Sequence, residues 1–268
     1  MTTLPISIIG FGNMAQAIAS GLIKKGYQSL SVASPSLHQG ITQEGIATYS
    51  SNIQAIEQAK IIILAVKPAQ MKQVLGEIIP FLKADTLLIS VAAGLSLTWF
   101  AKQFNAPWPI VRTMPNTPVS VGLGAIPMIA NAWISEVQKQ VTQDIFSSLG
   151  VAVWIEDESQ MDVFTALSGS GPAYVYYFIE SMIDAACSLG LSESIAKLMT
   201  LQTLEGALFL AKHSALSLNQ LRTKVTSPKG TTAAALDLLQ PELHKLMHKA
   251  IEAAKERANE MGSVLCQL

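Results

Sequence analysis

Three stretches of this chain combine residue types that could do chemistry. Near the start, Ile8-Ile9-Gly10-Phe11-Gly12-Asn13-Met14-Ala15 sets two glycines and an alanine at G-x-G-x-x-A spacing. That pattern suits a dinucleotide. Gly10 would make the tight turn off a strand, Gly12 would let the backbone approach a pyrophosphate, and Ala15 would let the next helix pack closely. Far downstream, Thr226-Ser227-Pro228-Lys229-Gly230-Thr231-Thr232 precedes a helical pattern starting near Ala233. Hydroxyls and free amide groups at a helix N-terminus attract an anion such as a carboxylate; the same residues also read as an N-cap with a spare threonine. Between them, Thr165-Ala166-Leu167-Ser168-Gly169-Ser170-Gly171-Pro172-Ala173-Tyr174 is small and hydroxylic within an apolar helical pattern. Gly and Pro inside a helix cost about 1 and about 3 kcal/mol. Close approach of a ligand or of another helix would offset that.

The elements that must position these groups alternate strand and helix. A strand over residues 6–9 precedes the glycine turn, and Ala15, Ile18, Ala19, Leu22 and Ile23 follow it at helical spacing, with Gly26 as the C-cap. Leu30-Ser31-Val32-Ala33-Ser34 is a second strand running into Pro35. An enzyme that grips the 2′-hydroxyl of NAD places an acid about 20 residues beyond the glycines, whereas here the strand ends Ser34-Pro35-Ser36 with no acid before Glu44. The missing carboxylate favours NADP. No Lys or Arg stands between Lys25 and Lys60, so hydroxyls, Asn52 and the imidazole of His38 are what remain to meet a phosphate, His38 reading better as part of a solvated turn.

Further short strands fall at residues 45–48, 61–66, 86–91, 109–112, 124–130 and 151–155. Helices fall at residues 52–58, capped by Ser51 or Asn52, at 70–82, from Ser96 to 104, and at 135–149. The unbroken apolar run Ile61-Ile62-Ile63-Leu64-Ala65-Val66 is that of a parallel strand buried on both faces. It ends at Lys67-Pro68, at the carboxyl end of a strand, where open α/β sheets bind ligands. Ala92-Ala93-Gly94 leaves room for a flat ring. Asn116, in the stiff loop Arg112-Thr113-Met114-Pro115-Asn116-Thr117-Pro118, is placed either to lie over a cofactor or to hold the loop. The alternation stops near Glu156, and beyond about residue 160 the chain reads as helical, with a last helix over residues 242–261.

Composition narrows the class. Half of the 268 residues are hydrophobic and 14% are charged, an apolar balance that implies surface buried in an oligomer. A net charge of −1 without a basic stripe argues against nucleic acid. Residues 113–135 carry no charge, but prolines and asparagines interrupt them, so they read as buried loop and strand and no membrane partner is expected. No signal peptide is expected, and Cys187 and Cys266 lack metal or C-x-x-C spacing, consistent with a reduced, cytoplasmic setting and no bound metal.

Taken together, the motifs resemble the pyrroline-5-carboxylate reductase family over essentially the whole chain. Those that carry the resemblance are Ile9-Gly10-Phe11-Gly12-Asn13-Met14-Ala15, Ala65-Val66-Lys67-Pro68, Ala92-Ala93-Gly94, the Arg112 to Pro118 loop, the Ala166 to Tyr174 stretch and the Thr226 to Thr232 stretch. The last two are the specific ones. The resemblance implies an α/β fold with an N-terminal Rossmann-type doubly wound sheet (residues 1–160) and a C-terminal all-helical dimerisation and substrate-binding domain (residues 161–268). It implies NAD(P)H-dependent reduction of Δ1-pyrroline-5-carboxylate to L-proline, with NADPH preferred and NADH usable. Family members pair through interlocked helical domains, and their dimers commonly form rings of five. Carried over to this chain, the resemblance puts the cofactor on Ile9, Gly10, Phe11, Gly12, Asn13, Met14, Ser34, Asn52, Ala65, Val66, Lys67, Pro68, Ala92, Ala93 and Asn116. It puts the small-molecule substrate on Glu158, Ser168, Ser170, Ser227, Thr231 and Thr232, with Thr232 orienting the ring nitrogen. Lys229 departs from the family pattern, which has a glycine there. If that glycine takes φ > 0, Lys strains the loop; if not, its ammonium adds attraction for a carboxylate.

Overall fold

A computed structural model describes residues 4–265. Cys266 therefore lies outside the described residues, while Cys187 is a free, half-buried thiol. The chain divides into two compact units. One holds the described residues up to Pro172 together with those from Ala253 onward; the other is Ala173–Glu252.

The first unit is built on a nine-stranded sheet ordered β3-β4-β2-β1-β5-β6-β7-β8-β9. The strands are β1 (Ile6–Ile9), β2 (Leu30–Ala33), β3 (Gly40–Ile41), β4 (Ala47–Tyr49), β5 (Ile61–Leu64), β6 (Leu87–Ser90), β7 (Ile110–Thr113), β8 (Gly124–Ala130) and β9 (Gly150–Trp154). Helices α1 (Asn13–Lys24), α2 (Asn52–Ile56), α3 (Pro68–Ile78), α4 (Leu97–Ala101) and α5 (Glu136–Ser147) connect them. The central strands are parallel, β1 lying between β2 and β5. Strand order reverses at β1, and such a switch point opens a crevice beyond the carboxyl ends of the strands. β8 runs antiparallel to β7, and a β3–β4 hairpin adds an edge that the sequence pattern had not marked.

Alternation within the strands explains why this layer is stable. Ile6, Ile8, Ile61, Ile63 and Ile89 enter one apolar cluster with Ala15, Ile18 and Leu22 of α1 and Ile145 and Phe146 of α5. Ile9, Ile62, Leu64 and Leu88 enter another with Met71, Leu75 and Ile78 of α3 and Phe100 of α4. Both faces of the sheet are therefore covered, as the apolar run through residue 66 requires. That strand stops at Leu64; Ala65 N–H still donates to the Ile9 carbonyl, and Lys67 leads into α3. Caps fix the helix starts. The Ser51, Ser96 and Ser135 hydroxyls accept from Gln54, Trp99 and Gln138 N–H, and Ser135 with Gln138 completes a capping box. The helix expected over residues 70–82 begins earlier, with Pro68 at its first position, and passes into a 3-10 turn at Ile79–Phe81.

Two expectations for the downstream helices are corrected. Gly171 and Pro172 do not interrupt a helix: α6 (Met161–Phe164) runs into a π turn at Thr165–Gly169, and α7 (Gly171–Ser188) starts afresh after Ser170. Pro172 thus sits in a first turn, where its missing N–H leaves no bond unmade. The last helix is a single element, α10 (Thr231–Leu265), that runs through Pro241. The carbonyl freed by that proline belongs to exposed Asp237, where water can satisfy it.

The second unit contains α8 (Glu193–His213), α9 (Leu218–Lys224) and most of α7 and α10. Only Ala196 and Thr200 are buried in it, while Tyr176, Tyr177, Leu198, Leu208, Phe209, Leu238 and Leu246 are exposed. No helix among the described residues is long and apolar enough to cross a membrane.

Candidate active site

Gly10 ends β1 at φ 94°, a conformation that favours glycine. A Cβ there would lie 2.7 Å from the Ala65 carbonyl oxygen, so the two strand ends approach as no side chain would allow. Gly12 has the opposite surroundings: a Cβ would meet nothing within 4 Å. The turn is tight behind and open in front, which leaves its amides free for a phosphate. Buried Ala15 packs α1 onto the sheet.

A crevice of about 410 Å³ opens there. Of the residues expected at the cofactor, Gly10, Phe11, Gly12, Ser34, Asn52, Ala65, Val66 and Lys67 line it. Ile9 is buried in the sheet, Asn13 and Met14 form the first turn of α1, Pro68 opens α3, and Ala92 and Ala93 follow β6, so these are not in its wall. The ends of β2 and β4 are tied by Ser34 N–H donating to the Tyr49 carbonyl at 3.1 Å, which brings Ser34 near Asn52. The Ser34 and Ser36 hydroxyls pair at 3.1 Å. His38 is exposed and receives the Thr48 hydroxyl on its carbonyl, as expected of a turn residue. Gln70, Gln73, Val74 and Glu77 complete the wall from α3. None of these four was singled out from the sequence, although their spacing of three and four residues places them on one helix face.

A second cluster lies within the same unit. Glu158 opens a 3-10 turn, Glu158–Gln160, that Asp157 caps by accepting from Ser159 N–H. One Glu158 oxygen, Oε1, accepts from Arg112 Nη1 at 2.7 Å and from Leu97 N–H at 2.8 Å. Both carboxylate and guanidinium face an open recess of about 380 Å³ that Gly94, Ser96 and Gly262 also line. Asn116 is buried; its amide donates to the Ser168 carbonyl at 2.9 Å and accepts from Ala125 N–H at 2.9 Å. It thereby pins the stiff loop to the π turn. The Ser168 hydroxyl donates back to the Phe164 carbonyl, and the Ser170 N–H donates to Thr165. Gly169 packs beside Met114, whose Cε would lie 3.2 Å from a Cβ there. In the second unit, the Tyr174 hydroxyl is buried without a hydrogen-bond partner among the described residues.

In the second unit, residues 226–232 form a tight turn into α10. Thr226 Oγ1 donates to the Arg222 carbonyl, Gly230 N–H donates to Ser227, and Ala234 N–H donates to Gly230. The amides of Thr231 and Thr232 open α10 and are free of intrahelical partners. Lys229 has φ 60°, the one positive value among described non-glycine residues, which decides between the two sequence readings in favour of strain.

A mostly parallel sheet whose strand order reverses beside a glycine turn, with a crevice across that point, defines a Rossmann-type dinucleotide-binding protein. Residues 5–94 match the family described as NADP oxidoreductase, coenzyme F420-dependent, and residues 158–261 match pyrroline-5-carboxylate reductase dimerisation. Over 273 aligned residues, all of both chains, this chain is 38% identical to the pyrroline-5-carboxylate reductase of Pseudomonas aeruginosa. Among solved structures it superposes on a Plasmodium falciparum pyrroline carboxylate reductase with NADP bound, with TM-score 0.90, 36% identity and 98% and 99% of the two chains covered. It also superposes on a Coxiella burnetii pyrroline-5-carboxylate reductase, with TM-score 0.86, 38% identity and 97% and 99% covered. The chain belongs to the pyrroline-5-carboxylate reductase family.

Proposed function

We propose that this chain catalyses the NAD(P)H-dependent reduction of Δ1-pyrroline-5-carboxylate to L-proline, the last step of proline biosynthesis. The observation that carries this reading is the full-length correspondence to a named reductase at 38% identity. The open glycine turn and the crevice in front of it fit a dinucleotide. A bound reduced nicotinamide supplies a hydride from C4 to the imine carbon C5, and the ring nitrogen keeps the proton it carries as an iminium. The chain's own work is positioning. Gly10 to Met14 hold the pyrophosphate, Ser34 and Asn52 the adenosine ribose and its 2′-phosphate, and Ala65 to Pro68 the length of the cofactor. Ala92 and Ala93 leave room for the nicotinamide ring, and Asn116 holds the loop next to it.

Ser227 and the amides of Thr231 and Thr232 bind the substrate carboxylate, and the Thr232 hydroxyl orients the ring nitrogen. Glu158, in the first unit, has a second oxygen, Oε2, without a hydrogen bond among the described residues, which leaves it available to a substrate lying close by. Ser168 and Ser170, in the first unit, are the remaining substrate-binding candidates. The hydroxyl-rich end of β2, with no acid following it, supports NADPH over NADH. The functional division falls near residue 160. The exposed apolar faces of α7, α8 and α10 support a homodimer through the helical domains; a ring of five such dimers in the cytoplasm rests on the family resemblance alone.

One assay tests the reading: turnover of pyrroline-5-carboxylate with NADPH and with NADH, together with proline-dependent reduction of NAD(P)+ at high pH. Turnover in both directions is expected. Dinucleotide binding without turnover of this substrate would overturn it.

A further inference from the structure

Among the residues that line the dinucleotide crevice, Lys67 and Glu77 carry charge. They stand at opposite ends of α3, separated by about 15 Å of helix rise. Lys67 adjoins the end of β5, next to the glycine turn. Glu77 instead reaches Asn52: its Oε2 accepts from Asn52 Nδ2 at 2.9 Å. Only the NH₂ end of an amide can donate to a carboxylate, so this bond also fixes which way Asn52 points, leaving its oxygen as an acceptor. Asn52 opens α2 directly after β4, whose end is tied to Ser34. A carboxylate from α3 therefore shares a crevice wall with Ser34 at the end of β2, the strand end from which dinucleotide enzymes of this fold that prefer NAD present an acid.

The geometry points to Glu77 as a specificity-determining residue that narrows this chain's preference for NADPH over NADH. The inference rests on the crevice being the adenosine site. The carboxylate oxygens of Glu77 and the amide oxygen of Asn52 accept hydrogen bonds, which suits a ribose hydroxyl. A 2′-phosphate brings acceptor oxygens and a charge of about −1.5 to −2, and a negative group beside it repels it. The paired Ser34 and Ser36 hydroxyls can still donate to a phosphate, so NADPH binds, but less tightly than the hydroxyls alone would permit.

Glu77→Gln tests this, because glutamine retains an oxygen that can accept from Asn52 and removes only the charge. Binding of NADPH, NADH, 2′-phospho-AMP and AMP would be measured by titration for wild type and variant, at low salt and near physiological salt. For Glu77→Gln, affinity for the two 2′-phosphorylated ligands should rise about five- to tenfold, from the Coulomb energy of charges several ångströms apart in a wet site. Affinity for NADH and AMP should change less than twofold. The gain should shrink as salt is raised. A second variant, Glu77→Ala, which also frees Asn52, should raise the same phosphorylated-to-unphosphorylated ratio. An unchanged ratio in both variants, with all four ligands still binding, would overturn the role of Glu77 alone. Failure of wild type to bind any of the four would overturn the crevice as the adenosine site and the inference with it.

Discussion

Arg112 and Glu158, 46 residues apart, meet at 2.7 Å with side chains only 7% and 25% exposed. The same carboxylate oxygen receives the Leu97 amide, so β7, the first turn of α4 and the 3-10 turn after β9 converge on one atom. This occupies Oε1 and leaves Oε2 without a hydrogen bond among the described residues, and Oε2 is the atom that the proposed substrate role of Glu158 would use.

Replacing Arg112 by Met preserves most of the apolar stem and removes the charge. Glu158 would be left with one amide donor in a half-closed setting. Breaking a buried pair in this way costs about 3–5 kcal/mol, and partial exposure of Glu158 reduces that to about 2 kcal/mol. Urea denaturation should register the loss, with KM for the substrate raised as Glu158 loses its alignment. A midpoint equal to wild type would mean that the pair does not hold the turn.

Thr232 stands in the first turn of α10. If its hydroxyl orients the ring nitrogen, Thr232→Ala removes one hydrogen bond to a charged group, about 1.5–3 kcal/mol, and lowers kcat/KM about tenfold or more. Both a higher KM and a lower kcat are expected in steady-state kinetics. Wild-type kinetics would remove Thr232 from the site.

Lys229, at φ 60°, is the one non-glycine residue with positive φ among the described residues. The left-handed region costs an L-residue about 1–2 kcal/mol, and glycine escapes that cost while losing more backbone entropy on folding. Lys229→Gly should therefore stabilise the protein by about 0.5–1 kcal/mol, read as a higher urea midpoint. Lys229→Ala, which keeps the strain and drops the ammonium, should not. If the two variants behave alike, strain is not the reason.

Asp157 holds the turn that carries Glu158. Its carboxylate accepts from the Ser159 hydroxyl at 2.6 Å and the Ser159 N–H at 2.8 Å, and these bonds, the hydroxyl's first, draw its pKa below the ordinary value. The folded state therefore binds this proton less readily than the unfolded chain does. Its contribution to stability is complete above the unfolded value, about 3.9, and disappears as pH falls through the lower folded value. Asp157→Asn should be less stable than wild type near neutrality, and the two urea midpoints should converge in strong acid. A gap that persists at every pH would assign the effect to something other than this carboxylate.

The residues themselves account for much of this molecule. Ile61 to Leu64 could hardly be anything but a central strand, and Gly10, Gly12 and Ala15 carry their roles in their sizes. Glu77 was invisible for a physical reason. Its importance lies in a bond to Asn52, 25 residues away, and nothing in either local pattern announces that α3 and α2 meet there. The β3–β4 hairpin was missed because Gly40–Ile41 is too short for a period to register. Pro172 misled in the other direction. Its cost applies in a helix interior, and the π turn before it converts that interior into a new helix start.

Tyr174 offers a test of how the helical unit is completed. Its hydroxyl is buried and meets no partner among the described residues, two positions after Pro172 in the opening turn of α7. An O–H withheld from water without a replacement costs about 1–3 kcal/mol. Within a single chain, Tyr174→Phe removes that cost and keeps the ring, so thermal unfolding should shift upward by the equivalent of about 1 kcal/mol. The exposed apolar faces of the neighbouring helices make the opposite result informative. A variant that unfolds earlier, and whose loss grows on dilution, would mean that the hydroxyl finds its acceptor only when a second copy of the chain covers α7.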